Sequence, residues 1–377
     1  MIHYIGEYYN ANVDRHLSYS PAGISKMDYM IDVLSGYNDS LNIFSTSRTL
    51  EAGIYKKKVY RKDNRKYIYR STFFVKGRLT RRIERWYAII QLLKYILFTV
   101  KKGDCVIAYH ERYYQPWLSL TRKIKDYNLV YEVEELYTVA ANLSSKKISK
   151  EKKNLYADSY IFSTESLNEL INKQKKPYVI SHGTYRLPPI YNKCFDDEKI
   201  HIIYAGTFNR TKGGAEIAIN SAYYLSEQYH LHICGFGNDS EIEFVKNLIA
   251  EVSGKTKCKI TFDGKKIGEE YLEFLQSCQI GLSTQKPEGD YNHTSFPSKI
   301  LVYLANGLQV ITVKIPVIET SKVGNAVYYY NESNPEAVAK AIMKIDISSA
   351  PDTRKLVCQL DRDFRNELYT IICKAQK

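Results

Sequence analysis

Short apolar runs recur along the chain, separated by stretches in which apolar residues return every three or four positions. Strands are expected in the opening MIHYIGEYY and at Leu41 to Ser45, Cys105 to Tyr109, Leu129 to Val133 and Ser159 to Ser163. Helical periodicity falls at Ile24 to Leu34 and Trp117 to Lys125. Strands alternating with helices imply parallel sheets, whose ligands lie at the carboxyl ends of the strands.

The segment TSFPSKILVYLANGLQVIT, Thr294 to Thr312, joins a small-residue turn to an amphipathic helix. Pro297 suits a first helical turn, Ile300, Leu301 and Leu304 form an apolar stripe, and Gly307 ends the helix before a buried strand at Leu308 to Thr312. Backbone N–H groups at a helix start have no partner within the helix and carry the positive end of its dipole, so such a turn can hold a diphosphate. Ser295 and Ser298 add hydroxyls, and Lys299 adds charge.

In its residue order, Pro297, Ser298, Lys299, then Tyr303, Leu304, Ala305 and Gly307, this segment resembles the nucleotide-sugar segment of the retaining glycosyltransferase group 1 family. The glycine turns at Gly206 and Gly235 and the turn Phe262 to Lys266 stand in the family's order, and the resemblance covers roughly residues 198 to 345. It implies an α/β protein of two Rossmann-like domains facing each other across a cleft (GT-B), with a C-terminal helix crossing back to the N-terminal domain. The expected divisions are 1–190 for the acceptor, 191–350 for the nucleotide sugar and 351–377 for that helix, with linkers at Arg186 to Glu198 and Ser348 to Pro351. Closure between the domains would keep water from the donor.

The resemblance also assigns roles. Lys212, Lys299 and His110 are the expected catalytic residues, His110 through the donor sugar. The donor diphosphate falls to Gly206, Thr207, Arg210, Thr294, Ser295, Phe296 and Ser298, and the base or sugar to Gly235, Gly264, Lys265 and Glu288. Gly23, in the turn before the first helix, and Glu134 and Glu135, just past a strand, are the acceptor candidates; His182 and Gly183 mark the last strand of the first domain. Two positions depart from the family. Its pair of glutamates is replaced by Thr294 and Val302, for which Glu288 or Asp290 could substitute, and Thr207 stands where an arginine is common, with Arg210 nearby.

The chain has 377 residues, enough for two such domains, and a formal charge of +13. Residues 1 to 190 hold 32 Lys and Arg against 18 Asp and Glu, and the remainder 22 against 23, so the excess lies in the first half. It is densest from Lys56 to Arg85, read as a basic, aromatic-rich loop, and is followed by an apolar run, Trp86 to Val100, too short for the roughly 20 residues of a membrane span. The stretch suits either a peripheral contact with an anionic membrane or a partly buried helix beside a solvated loop. No recognition motif for nucleic acid accompanies it. Seven scattered cysteines show no metal-ligand spacing and, with no secretory signal, are expected to be reduced thiols of a cytoplasmic protein.

The resulting expectation is transfer of a sugar from a nucleotide diphosphate sugar to a hydroxyl with retention and without metal or other cofactor. The acceptor is expected to be a saccharide, lipid-linked, in surface-polysaccharide synthesis. A nucleotide-sugar-binding subunit without catalysis and a sugar-nucleotide epimerase on the same fold remain the alternatives.

Overall fold

The computed structural model describes residues 1–10, 17–74, 76–111, 113–140, 143–211, 213–287, 290–332 and 334–374. The chain divides into two compact units, Met1–Thr184 with Asp363–Lys377, and Tyr185–Arg362.

The first unit contains strands β1 (Ile2–Gly6), β2 (Leu41–Ser45), β3 (Gly53–Tyr55), β4 (Lys58–Lys62), β5 (Arg65–Tyr69), β6 (Thr72–Phe74), β7 (Cys105–Tyr109), β8 (Asn128–Val133), β9 (Ser159–Phe162) and β10 (Tyr178–Ile180). Its helices are α1 (Pro21–Ser35), α2 (Arg78–Thr99), α3 (Gln115–Lys125), α4 (Tyr137–Ala140), α5 (Ser145–Asn154) and α6 (Glu165–Ile171). Eight strands form one sheet in the order β10-β9-β8-β7-β1-β2-β5-β4, and β3 and β6 pair separately. Every pair in the large sheet is parallel except β4 with β5. β2 and β7 begin and end where the apolar runs do, because all five residues of β2 and four of β7 are buried. The order in which strands are added to the sheet reverses between β1 and β7, so the loops after these two parallel strands meet at a switch point.

Two expectations for this unit change. The basic stretch is an edge hairpin, not a loop: β5 joins the sheet beside β2 and buries Tyr67, Ile68 and Tyr69, while β4 stays outside with Tyr60 stacked on Tyr67 at 4.7 Å. The turn between them puts Asp63 at φ 53°, a left-handed conformation that Asp tolerates better than most residues. Gly23 is not in a loop before the first helix. α1 begins at Pro21, and the Gly23 amide donates to the Ser20 hydroxyl that caps it, at 3.3 Å.

α2 buries Ala88, Ile89, Leu92, Tyr95 and Ile96 in the core and leaves Leu79, Ile83, Trp86, Ile90 and Phe98 exposed. Among the described residues no helix is long and apolar enough to cross a membrane.

The second unit contains β11 (Ile200–Thr207), β12 (Tyr229–Phe236), β13 (Lys259–Gly264), β14 (Ile280–Ser283), β15 (Gln309–Val313) and β16 (Tyr328–Tyr330). Between and after them lie α7 (Gly214–Ser221), α8 (Asp239–Ser253), α9 (Gly268–Gln276), α10 (Lys299–Ala305), α11 (Pro316–Glu319) and α12 (Pro335–Met343). The sheet is wholly parallel, in the order β13-β12-β11-β14-β15-β16. That is the doubly wound arrangement, with its switch point between β11 and β14.

The expected linker, Arg186 to Glu198, is packed on this unit. The Tyr191 amide donates to Gln276 at 2.8 Å, and the Phe195 ring stacks on His201 with centroids 3.8 Å apart. The second expected linker, Ser348 to Pro351, is irregular but lies within the second unit; the division between units runs instead through the helix that follows it, α13 (Thr353–Lys374). Thr353 donates to the Leu304 carbonyl at 2.9 Å, whereas Phe364 stacks on Tyr29 at 5.9 Å.

Candidate active site

The switch point of the second unit is held open by one tyrosine. β11 and β14 pair only at Ile202 with Ile280 and Ile203 with Gly281, then separate. Into the gap comes Tyr303 of α10, fully buried, with its ring 2.5 Å from where a Cβ on Gly281 would stand. Its hydroxyl accepts the Ala205 amide at 2.9 Å and lies 3.5 Å from the Leu282 carbonyl. Only glycine fits beneath that ring. Gly281→Ala is therefore expected to destabilise the protein by roughly 1–3 kcal/mol, the range for overpacked cores, read as a lower melting temperature; an unchanged melt would contradict the packing.

Anchored by Tyr303, α10 carries Lys299 to the end of β11. The ammonium occupies the place a Cβ on Gly206 would take and lies 4.0 Å from the centroid of the buried Tyr204 ring. α10 begins at Lys299, not at Pro297, whose carbonyl accepts the Ile300 amide at 3.1 Å. A second cation, which local residue order does not single out, is Lys286 in the loop after β14. It folds over Gly213, φ 65°, with its Cε 2.7 Å from that residue's Cβ position. Asn292 fixes the loop by donating to the Lys286 and Pro287 carbonyls, both at 2.9 Å. Two ammonium groups thus border the turn between β11 and α7, and together they suit a diphosphate.

The other candidates scatter. Lys212 and Glu288 lie outside the described residues, as does Gly289 before Asp290. Thr294 and Phe296 are buried, Ser295 is half-buried and Ser298 exposed. Arg210 stacks over Phe244 at 4.3 Å, and Lys265 lies 5.4 Å from the Phe236 ring. Gly235 lets β12 approach the Gly206 carbonyl, a packing contact, while Gly264, φ 67°, meets no side chain closer than 4.0 Å. Thr207 is exposed at the end of β11.

In the first unit, His110 directly follows β7, but its side chain is fully buried. Nε2 lies 3.3 Å from the Glu151 carboxylate and the ring stacks on Tyr137 at 4.7 Å, while the buried Nδ1 has no hydrogen-bond partner. Burial pushes the Glu151 carboxyl up, but the bonds from His110 and Thr138 outweigh it and hold the group below its usual range. Glu134 is partly exposed and 3.4 Å from Lys26, a buried lysine that donates to the Ser181 carbonyl at 2.7 Å and hydroxyl at 2.9 Å. Glu135 is half-buried beside it. His182 is buried, with Nδ1 2.9 Å from the Ser163 carbonyl. Beneath these, Glu132 has no exposure; burial and the Glu134 charge push its carboxyl up to about 8.

A pocket unforeseen in the sequence opens at the same sheet edge. Glu7 follows β1, Arg70 follows β5 and Glu111 follows β7; with Arg48, Arg81 and Arg85 they line a cavity of about 220 Å³. Arg70 pairs with Glu84 at 2.7 Å, and Arg85 stacks over Tyr113 at 3.8 Å. Burial, then the Glu111 charge, pushes the Glu7 carboxyl up to about 7, so it carries less than a full charge near neutral pH. The arginines outnumber the charges that face them, which suits an anionic group with phosphate or carboxylate geometry.

Two doubly wound α/β units, one with a lysine over the end of its first strand at the switch point, define the two-domain fold of GT-B glycosyltransferases. Comparison with known proteins agrees. Residues 199–345 match the family model described as glycosyl transferases group 1, which supports glycosyltransferase activity. Similar solved structures include OtsA in its apo form (TM-score 0.67, 10% identity, 100% of this chain and 99% of that one). Another is E. coli trehalose-6-phosphate synthase with UDP-2-fluoro-glucose bound (TM-score 0.62, 9% identity, 100% and 99% covered). A third is the UDP-forming α,α-trehalose-phosphate synthase of Burkholderia xenovorans with glucose 6-phosphate (TM-score 0.65, 8% identity, 100% of both chains). At these identities the likeness carries the fold alone. No curated protein matches the chain at a significant level. The expected surface-polysaccharide role gains no support from these structures, which are trehalose-phosphate synthases.

Proposed function

We propose that the protein transfers a glycosyl group, with retention, from a nucleoside diphosphate sugar to a hydroxyl of a phosphate-bearing saccharide. The observation that carries the donor half is Lys299 seated on Gly206 at the β11/β14 switch point, within the segment that matches the family model. Breaking the glycosyl–phosphate bond builds negative charge on the leaving diphosphate, and a cation held in place beforehand stabilises that charge without reorganisation. Lys286, exposed in the loop after β14, supplies a second charge from the other side of the turn.

The arginine pocket carries the acceptor half. A sugar phosphate and a lipid-linked saccharide diphosphate share the anionic group it suits, and the neighbours solved with UDP-2-fluoro-glucose and glucose 6-phosphate make the sugar phosphate the first acceptor to try. Calorimetry with UDP, GDP and ADP tests the donor site: one nucleotide should bind selectively and Lys299→Ala should weaken it, whereas no binding of any would refute the reading. With the donor known, Arg48→Ala combined with Arg81→Ala is expected to raise KM for a phosphate-bearing acceptor by about 10- to 100-fold, the worth of one or two charged hydrogen bonds. Slow donor hydrolysis should be unchanged. An equal loss with neutral and phosphorylated acceptors would remove the acceptor assignment.

One observation favours a second reading. The family's glutamate pair is replaced here by Thr294, which is buried, and Val302. A subunit that binds a nucleotide sugar without turnover would bind donor normally yet release no nucleotide with any acceptor.

A further inference from the structure

At the amino ends of the strands in the second unit, about 16 Å of strand from Gly206, three imidazoles share one face of the sheet. His201 of β11 is in register with His230 of β12, and His232, two residues on, faces Thr261 of β13. All three are buried, at 2%, 5% and 2% exposure. One ring nitrogen from each lies within 4.8 Å of the other two. Phe195 and Phe274 cover the cluster, Phe195 stacked 4.8 Å from His232 and Phe274 edge-on at 5.1 Å.

The hydrogen bonds around the rings leave the centre short of donors. His201 Nε2 is 2.7 Å from Asp197 and His232 Nδ1 is 3.1 Å from Asp263, and an ionised carboxylate only accepts. A ring with a single proton satisfies its carboxylate by carrying that proton on the outer nitrogen, and the Thr261 hydroxyl also lies 3.1 Å from His232 Nδ1. That leaves His201 Nδ1 and His232 Nε2 facing one another at 2.9 Å, lone pair to lone pair. Moving the His232 proton inward only transfers the conflict to Asp263. His230 uses Nε2 on the Thr261 hydroxyl at 3.1 Å, and its buried Nδ1 has no hydrogen-bond partner. A cation among the rings resolves these contacts together.

We infer that His201, His230 and His232 bind a single first-row transition-metal dication, zinc being the best match, through one nitrogen each, with the fourth position taken by water. Neutral imidazole suits zinc, copper, nickel and cobalt, whereas magnesium and calcium require oxygen ligands. Asp197 and Asp263 act as orienting partners, each fixing the tautomer that directs a lone pair inward. Binding at about 2.0–2.1 Å requires the rings to adjust from their present spacing, in which the three nitrogens lie within 4.8 Å of one another. The site lies at the opposite end of the strands from Lys299, so its role is to clasp the segment carrying Phe195 and Asp197 to the sheet, independently of sugar transfer.

The test uses the full chain, stripped of metal with a chelator and titrated with Co(II). One equivalent should bind with the visible absorption of four-coordinate cobalt, be displaced by Zn(II) but not by Mg(II), and raise the melting temperature. His230→Gln and His232→Gln should abolish the signal while nucleotide binding persists, and Asp263→Asn should weaken cobalt binding by roughly 10- to 100-fold. Absence of stoichiometric binding to the wild type, or a signal unchanged in the histidine variants, would overturn the assignment. Should the histidine variants fail to fold, the wild-type stoichiometry and the rim substitution Asp263→Asn decide it.

Discussion

Lys299→Ala is expected to lower kcat by about 10²- to 10³-fold, or about 2.7–4 kcal/mol, the loss found when one preorganised donor to a developing negative charge is removed. The protein should stay folded, because the side chain is only half-buried and rests against the Tyr204 ring and Gly206 without filling the core. The loss should appear in kcat and kcat/KM alike, since the charge being stabilised grows as the bond breaks. Lys286→Ala should cost less and act mainly on donor KM, because that side chain is exposed in a loop. Turnover within a few-fold of wild type for Lys299→Ala, measured as nucleotide release, would remove Lys299 from the mechanism.

Glu132→Gln is expected to make the stability of the protein less dependent on pH on the alkaline side. Glu132 accepts the Tyr4 hydroxyl at 2.6 Å through one oxygen, and its other oxygen is buried without a hydrogen-bond partner, so its charged form is poorly solvated. Its carboxyl is accordingly raised from 4.5 to about 8. A proton held in the folded state and released on unfolding stabilises the fold. That contribution is fully present below about pH 4.5 and falls as the pH rises, until it is lost above about 8. Glutamine keeps an acceptor for Tyr4 and cannot ionise. Melting temperatures measured from about pH 6 to 9 should decline for the wild type and decline less for Glu132→Gln; parallel curves would show that Glu132 does not titrate in this range.

The parts of the fold that sequence reveals are those whose burial is uniform. β7 is readable to the residue because CVIAY is a continuous apolar run, β2 because Leu41, Ile43 and Phe44 carry a short run that is buried throughout, and the segment around Tyr303 because its stripe, proline and glycine agree. The edge hairpin was not, because KVYRK and RKYIY mix cations with tyrosines, and only the partner strand decides which side is buried. Its signal was the Asp63-Asn64 turn between two aromatic runs. Within the sites, Lys299 could be found from local order. Lys286 could not, since it reaches Gly213 across seventy-three positions, nor could the arginine pocket, whose members follow different strands. The three histidines were invisible for a similar reason: parallel register places His201 beside His230, although a helix and twenty-eight residues separate them in the chain.

The course of α13 bears on how this protein can be taken apart or recombined. Its first turn is tied to the Leu304 and Ala305 carbonyls, and its later turns bring Phe364 to Tyr29 and the Arg365 carbonyl to the Tyr37 hydroxyl. A gene fragment ending at Thr184 would therefore encode a first unit lacking its last helical layer, with Tyr29 and Tyr37 uncovered, and should be recovered as insoluble or loosely folded material. Exchanging the donor half between related enzymes calls for two junctions, one near Thr184 and one inside α13 near Asp363, so the chain cannot be shuffled by a single crossover.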